Sequence, residues 1–346
     1  MTVGFPTTVF TTFPVSSLQM REVAPDFRNP MVQEWNFTVQ QELPGQMALS
    51  VGYLGNHQAH QLLQPDFNTC PLVFTTNSAI TCGALRFAPD VGSISGTATY
   101  GVGNYEAMTA QLIKRLSSGL QMQVAYTYGH SLADSGTTLS GSAGLYLPDP
   151  TNQMSEYSSS SWDIRHNFTA AINYEIPFGR GKQYGSSMNK AVQTLLGNWQ
   201  LNGILSLRTG VPYTLRANGC QDVGGGGCSP NIISGSTYDK SPSGGRTPSE
   251  YFDTSIYGPP GPLSLGNTGL QSMTGPPTRN LDFSVFKDFD FTERWKLEFR
   301  GEAFNLTNTP QFNTPDNNLQ DANFGKITGT AAGSSRTLQF ALRVMF

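Results

Sequence analysis

The chain has 346 residues, with 21 basic against 24 acidic side chains, a formal charge of −3 and only 13% charged residues, about half the fraction usual for a soluble domain. No stretch reaches the ~18 to 20 apolar residues of a membrane helix, the balance leaves no basic footprint for nucleic acid, and 11% aromatic content argues against disorder. Gly and Pro are abundant, at 37 and 22 residues.

Residues 1–20 are interrupted by Thr, Ser and Pro, and the first charge is Arg21, so they do not read as a secretory signal. The chain either stays inside the cell or does not begin at its natural start. Cys70 with Cys82, and Cys220 with Cys228, form two local pairs in Gly-, Pro-, Asn- and Thr-rich sequence. Loop disulfides in an oxidising compartment suit this pattern, with free thiols as the alternative; the spacing does not suit zinc. If the disulfides are real, the chain is exported.

Alternation with period 2 then dominates, in segments of about 9 to 13 residues, the length of a tilted membrane strand. Trp35, Phe37, Val39 and Leu43 share a face opposite Asn36, Thr38, Gln40 and Glu42, and after Pro44-Gly45 the return strand places Met47, Leu49, Val51 and Tyr53 together. Met108, Ala110, Leu112 and Leu116 pair in the same way with Leu120, Met122, Val124, Tyr126 and Tyr128, with Glu106 assigned to the polar side. The pattern continues through Phe168–Ile176, Trp199–Leu207, Leu281–Phe289 and Trp295–Ala303. It ends with Leu338, Phe340, Leu342, Val344 and Phe346, a row that closes the chain on an aromatic.

Nine strands are expected, over 32–43, 47–55, 104–116, 120–130, 163–176, 199–214, 279–290, 294–305 and 335–346. Tight turns at 44–46, 117–119 and 291–293 alternate with long connections at 56–103, 131–162, 215–278 and 306–334. The exception is 177–198, where 188–196 suits a short helix. Sorting long loops to one end is the mark of a transmembrane barrel with short periplasmic turns, the closed form in which strands span a bilayer. The fold class expected is therefore all-β, an antiparallel portion of a transmembrane β-barrel with long extracellular loops. An odd number of strands cannot close with alternating direction, so an open sheet is expected of the chain alone. Trp199, Trp295, Phe289 and Phe346 fall at the periplasmic interface, and Trp35, Tyr53, Tyr126 and Tyr128 toward the outer one.

Several ordered motifs resemble Oar-like TonB-dependent outer-membrane receptors. They are Asp163-Ile164-Arg165-His166-Asn167-Phe168, Pro177-Phe178-Gly179-Arg180-Gly181-Lys182, Gly197-Asn198-Trp199-Gln200-Leu201-Asn202-Gly203-Ile204 and Thr209-Gly210-Val211-Pro212-Tyr213-Thr214. Lys114 to Leu120, Tyr126-Thr127-Tyr128, and Arg300-Gly301-Glu302-Ala303-Phe304-Asn305 with Thr307, Asn308 and Pro310 add to them. The resemblance implies a barrel of about 22 strands around a plug, energised by TonB. No plug, TonB-contact segment or carboxypeptidase-regulatory-like domain is recognisable, so the expectation is a C-terminal barrel fragment. Residues 1–31 are then the remnant of an outer loop, and 32–346 the barrel part.

The expected partners are outer-membrane lipid of a Gram-negative bacterium, the barrel-assembly machinery, the missing plug and strands, TonB through them, and an unidentified large solute such as a siderophore, oligosaccharide or peptide. The resemblance also implies that Leu338, Phe340, Leu342, Val344 and Phe346 are the signal captured during assembly. Alternatives are a stand-alone or oligomeric pore or adhesin-like barrel, a truncated non-functional product, or an outer-membrane hydrolase.

No catalytic, cofactor or metal site is expected. Ser187-Met188-Asn189-Lys190 matches Ser-x-x-Lys without the companion motifs of penicillin-recognising enzymes, and the glycine run 224–227 lacks the context of a phosphate loop. His57 and His60 read as solvated loop residues, and Asp163, Arg165 and His166 as an ion-paired cluster at a strand start.

Overall fold

The computed structural model describes residues 20–63, 65–68, 88, 91, 94–134, 157–218, 228–233, 238–261, 264–292 and 294–346. Nine strands form one antiparallel sheet in chain order. They are β2 (Met31–Leu43), β3 (Met47–Leu63), β4 (Ile94–Ser117), β5 (Leu120–Ala133), β7 (His166–Glu175), β8 (Trp199–Arg208), β13 (Thr278–Asp290), β14 (Lys296–Phe304) and β15 (Thr337–Met345). Short strands β1 (Met20–Val23) and β6 (Ser158–Ser159) join β4 and β5, while β9 (Pro212–Tyr213), β10 (Asn231–Ile232), β11 (Tyr257–Gly258) and β12 (Met273–Thr274) build two small ribbons apart from the main sheet. Helix α1 (Lys190–Leu196) lies between β7 and β8. The sheet is open, with β2 and β15 at its two ends.

The tight turns follow from local stereochemistry. Ser118 and Gly119, at φ 53° and 78°, bridge the paired Ser117 and Leu120, the doubly left-handed geometry that matches strand twist. Gly45 and Gln46 take up φ 82° and 61° between Leu43 and Met47. Asn189 caps α1 by accepting the Val192 N–H at 2.9 Å, so the Ser-x-x-Lys match is the start of a helix.

Register sorts the side chains. Leu49, Leu112, Val124, Ala170, Leu205 and Leu281 stand side by side across six strands. Ile172, Gly203, Phe283, Ala303 and Leu338 form the next apolar row. Phe289 with Leu297 and Val344, and Phe299 with Leu342, complete the face. The opposite face carries Gln121, Asn173, Asn202, Ser284, Glu302 and Gln339 in one row. An apolar row this long with no layer against it among the described residues suits lipid, and the polar one suits a wet lumen.

Four expectations are corrected. β3 and β4 extend well past 55 and start well before 104, because their outer halves pair with each other as far as Leu63 and Ala98. This places His57 and His60 on a strand rather than in a loop, with His57 Nδ1 2.7 Å from Asn104 Oδ1. β7 starts at His166, after the expected 163, and β8 stops at Arg208, before the expected 214; Tyr213 instead joins β9, which pairs with β12. Glu106 opposes Gly55 and His130, two residues from Met108 and so on the apolar face, near its long-loop end.

The same register puts two lysines on the apolar face. Both lie toward the short-turn end and turn their charge to backbone oxygen. Lys114 Nζ donates to Gly45 O and Ser117 Oγ, each at 2.8 Å, and Lys287 Nζ donates to Gly197 O.

The two faces predict opposite outcomes for one charge. Val124→Arg is expected to lower stability by about 2 to 4 kcal/mol, the cost of arginine near the bilayer midplane, whereas Gln123→Arg changes it by under about 1 kcal/mol. Urea titration of the membrane-inserted protein measures both.

Candidate functional site

Two regions could meet a solute: the polar face and the cap built from the outer connections. On the polar face, Arg115, Gln121, Gln123, Asn173 and Asn202 line part of a recess of about 360 Å³. The Oδ1 of Asn173 and the Nδ2 of Asn202 have no partner among the described residues, although Gln200 Nε2 donates to Asn202 Oδ1 at 3.0 Å. Buried amides left this way are met by water or by a further polar surface. Arg300 lies over the Phe286 ring at 4.9 Å and bonds Glu298, which in turn opposes Asp288 and Arg343.

The cap has a hydrophobic core of its own. Tyr213, Leu215, Tyr251, Phe252, Ile256, Tyr257 and Met273 are buried together, with Leu319, Phe324 and Ile327 packed against them from the connection between β14 and β15. Phe252 meets Phe324 and Tyr257 edge to face, at centroid distances of 5.2 and 5.7 Å, the favoured aromatic arrangement. The 311–330 segment is tied in by backbone, with Arg216 N–H donating to Asn317 O and Leu319 N–H to Arg216 O at 2.8 and 2.9 Å.

Asp239 is the polar centre of this cap. It takes a 3.0 Å contact from Arg246 Nη1 and the Thr274 N–H at 3.2 Å, while the Tyr257 hydroxyl accepts the Asp239 N–H at 3.3 Å. The Arg246 guanidinium sits 4.8 Å over the Tyr251 ring. Burial first, and then the Asp239 carboxylate, push the Tyr213 phenol above its ordinary range. Burial also raises Tyr251 and Tyr257. Asp253 is held below the usual carboxylate range by the Ser255 hydroxyl and then by Lys240.

A second polar cluster clamps the outer end of β5 to the approach of β7. Asp163, 4% exposed, accepts the Ser131 N–H at 3.0 Å and lies 3.0 and 3.3 Å from His130 Nδ1 and Arg165 Nε. Arg165 Nη2 stands 2.9 Å from His130 Nε2. A guanidinium only donates, so Nε2 accepts and the ring proton sits on Nδ1. The expected group of Asp163, Arg165 and His166 is thus partly redrawn: His130 joins it, while His166 instead meets Tyr126 Oη at 2.8 Å and the Tyr128 ring at 5.0 Å. His130 was missed because its partners lie about thirty residues away in sequence. The three groups satisfy one another, so the arrangement is a clamp.

Of the expected site residues, Cys228 is disulfide-bonded and its Sγ lies 3.2 Å from Ala217 O; Cys70, Cys82, Cys220 and the glycine run 224–227 lie outside the described residues. Leu338, Phe340, Leu342, Val344 and Phe346 are all exposed, Phe346 at 90%, and Phe346 stacks on Trp295 at 5.4 Å. Among the described residues no group of His, Cys, Asp or Glu could hold a metal ion.

With this geometry in place, the comparisons with known proteins give one decisive match. The family described as outer membrane beta barrel domain matches residues 1–339. The chain belongs to that family. Its place is the bacterial outer membrane. No curated protein matches it. Among solved structures it is similar to the outer membrane transporter YddB from Escherichia coli, at 9% identity and a TM-score of 0.45, over 92% of this chain and 33% of that one. It is also similar to the pyoverdine outer membrane receptor FpvA from Pseudomonas aeruginosa PAO1, at 10% identity and a TM-score of 0.43, over 91% and 30%. The ferric-catecholate import receptor Fiu from E. coli K12 gives 11% identity and 0.42, over 92% and 28%. The chain spans about a third of the length of these proteins.

The tyrosines give the cap a pH dependence. Unfolded tyrosines ionise near pH ~10, while Tyr213, Tyr251 and Tyr257 hold their protons to higher pH in the fold. Above that value the unfolded state binds fewer protons, so cap stability falls as pH rises. Limited proteolysis within 238–278 is expected to accelerate above pH ~10. The Tyr213 hydroxyl is buried without a partner among the described residues, so Tyr213→Phe is expected to stabilise the cap by about 1 kcal/mol and to make that acceleration shallower.

Proposed function

We propose that the chain is the C-terminal barrel part of a TonB-dependent receptor that takes up a large solute, a siderophore, oligosaccharide or peptide, with no enzymatic activity. The observation that carries this reading is the pair of edges left unpaired among the described residues. Nine antiparallel strands in chain order leave β2 and β15 running in the same direction, so they cannot pair antiparallel with each other. Free backbone donors and acceptors are not tolerated in hydrocarbon. An odd number of further strands closes the barrel with alternation intact. The polar face, with its unpartnered amides, then becomes a lumen wall facing a plug, and the aromatic cap stands over the outer mouth where a solute arrives. The ordered sequence motifs shared with Oar-like receptors point the same way. The pairing of Cys220 with Cys228 and of Cys70 with Cys82, restraining outer loops, belongs to this reading, as do the barrel-assembly machinery, the plug and TonB as partners.

The test separates a receptor part from a pore. In planar bilayers the chain alone is expected to give no stable conductance, whereas joining it to the plug and strands of a related receptor is expected to restore ferric-chelate uptake that depends on TonB. A stable, ion-conducting pore formed by the chain alone contradicts the reading.

The exposed terminal row supplies a second test. In such a restored receptor, deleting Phe346 is expected to cut outer-membrane yield at least several-fold, while Leu297→Ala, an apolar truncation on the neighbouring strand, costs only the ~2 to 5 kcal/mol of a lost side chain. Equal yields for the deletion and the parent protein refute the assembly role.

A further inference from the structure

The connection between β7 and β8, residues 177–198, lies at the end of the sheet where the other connections are tight turns. It contains Arg180, Lys182 and Lys190 and no acidic residue. It is also folded. Gly179 N–H donates to Tyr184 O at 2.8 Å, Arg180 N–H to Gln193 Oε1 at 2.7 Å, and Arg180 Nε to Met188 O at 3.0 Å.

The end of α1 is anchored from the apolar face of the sheet. Trp199 Nε1 donates to Leu195 O at 3.0 Å, and Lys287 Nζ donates to Gly197 O. Trp199 and Lys287 oppose each other in register on that face, and the Lys287 ammonium lies 5.5 and 5.0 Å from the Trp199 and Phe289 rings. The helix end therefore sits beside the lipid-facing surface at its periplasmic margin. Leu195 and Leu196 are 68% and 51% exposed there, with exposed Ala191 one turn before Leu195.

We propose that α1 is a membrane-interface foot, lying in the headgroup layer of the periplasmic leaflet with Leu195 and Leu196 inserted and Arg180 and Lys190 toward anionic phospholipid. Two observations select lipid as the occupant. The exposed leucines continue the aromatic belt of Trp199 and Phe289, whose rings suit the membrane interface. Lys182 is paired with Glu175 at 2.8 Å, and the remaining basic side chains of 177–198, Arg180 and Lys190, match anionic headgroups; an apolar edge beside basic side chains is how interfacial helices bind. The inference rests on the outer-membrane placement of the strands and adds to it a contact that barrel strands do not require.

The test uses the chain joined to the plug and strands of a related receptor, so that neither edge is left unpaired, in vesicles of phosphatidylethanolamine and phosphatidylglycerol, with an environment-sensitive fluorophore on Leu195→Cys and the unsubstituted protein as background. Emission is expected to be blue-shifted and quenched more strongly by nitroxides at headgroup depth than by nitroxides in mid-chain, while a label at Gln183→Cys reports water. Lys190→Gln, or replacement of phosphatidylglycerol by phosphatidylcholine, is expected to reduce the headgroup quenching at least twofold. A Leu195 label in water overturns the proposal, and so does one that leaves water only in native outer membranes, which assigns the surface to a periplasmic protein. A label at Val124→Cys distinguishes the failures: in hydrocarbon beside a watery Leu195 label it condemns the foot alone, and in water it condemns the membrane placement of the strands.

Discussion

The interaction on which the rest depends is the backbone hydrogen bond in a medium without water. Each strand crossing hydrocarbon must give its N–H and C=O groups to a neighbour, because an unsatisfied group there costs several kcal/mol. Chain-order antiparallel pairing from β2 to β15 meets this condition everywhere except at the two edges. Register follows from the same constraint. Slipping a strand by one residue would turn its Leu, Val and Phe row into the lumen and its Asn, Gln and Glu row into lipid.

The side chains that break the alternation are informative for this reason. Lys114 and Lys287 occupy apolar-face positions, yet both lie near the short-turn end and deliver their ammonium groups to backbone carbonyls. A long stem lets the charge leave the hydrocarbon while the methylenes stay in it. Glu106 makes the opposite excursion, near the long-loop end beside His130. Charge on the apolar face is thus found toward its margins, where the medium is no longer hydrocarbon.

The outer cap is held by different forces. Its small ribbons give little sheet, so its order comes from an aromatic core around Phe252 and from Asp239, which links Arg246 and Thr274 through its carboxylate and Tyr257 through its backbone. Water is available there, and ion pairs and buried phenols coexist as in a small soluble domain. Rigid strands below and a compact cap above divide the molecule into a scaffold and an outward-facing surface, which is where solute contact belongs in the proposed receptor.

Sequence by itself determined the strands, because period 2 is written directly into residue order. The nine strands, their open sheet, the helix near 188–196 and the apolar row of each strand were all legible. So were the turns, since left-handed backbone at Gly45 and Gly119 restricts which residues can stand there. The cap was not legible, because Tyr213, Phe252, Met273 and Phe324 meet across connections whose residues follow no period. Nor was the clamp of His130 with Asp163 and Arg165, or the reach of Lys287 to the end of α1. Those contacts join residues tens of positions apart, and only the pairing of the strands brings them within the few ångströms over which hydrogen bonds and ion pairs act.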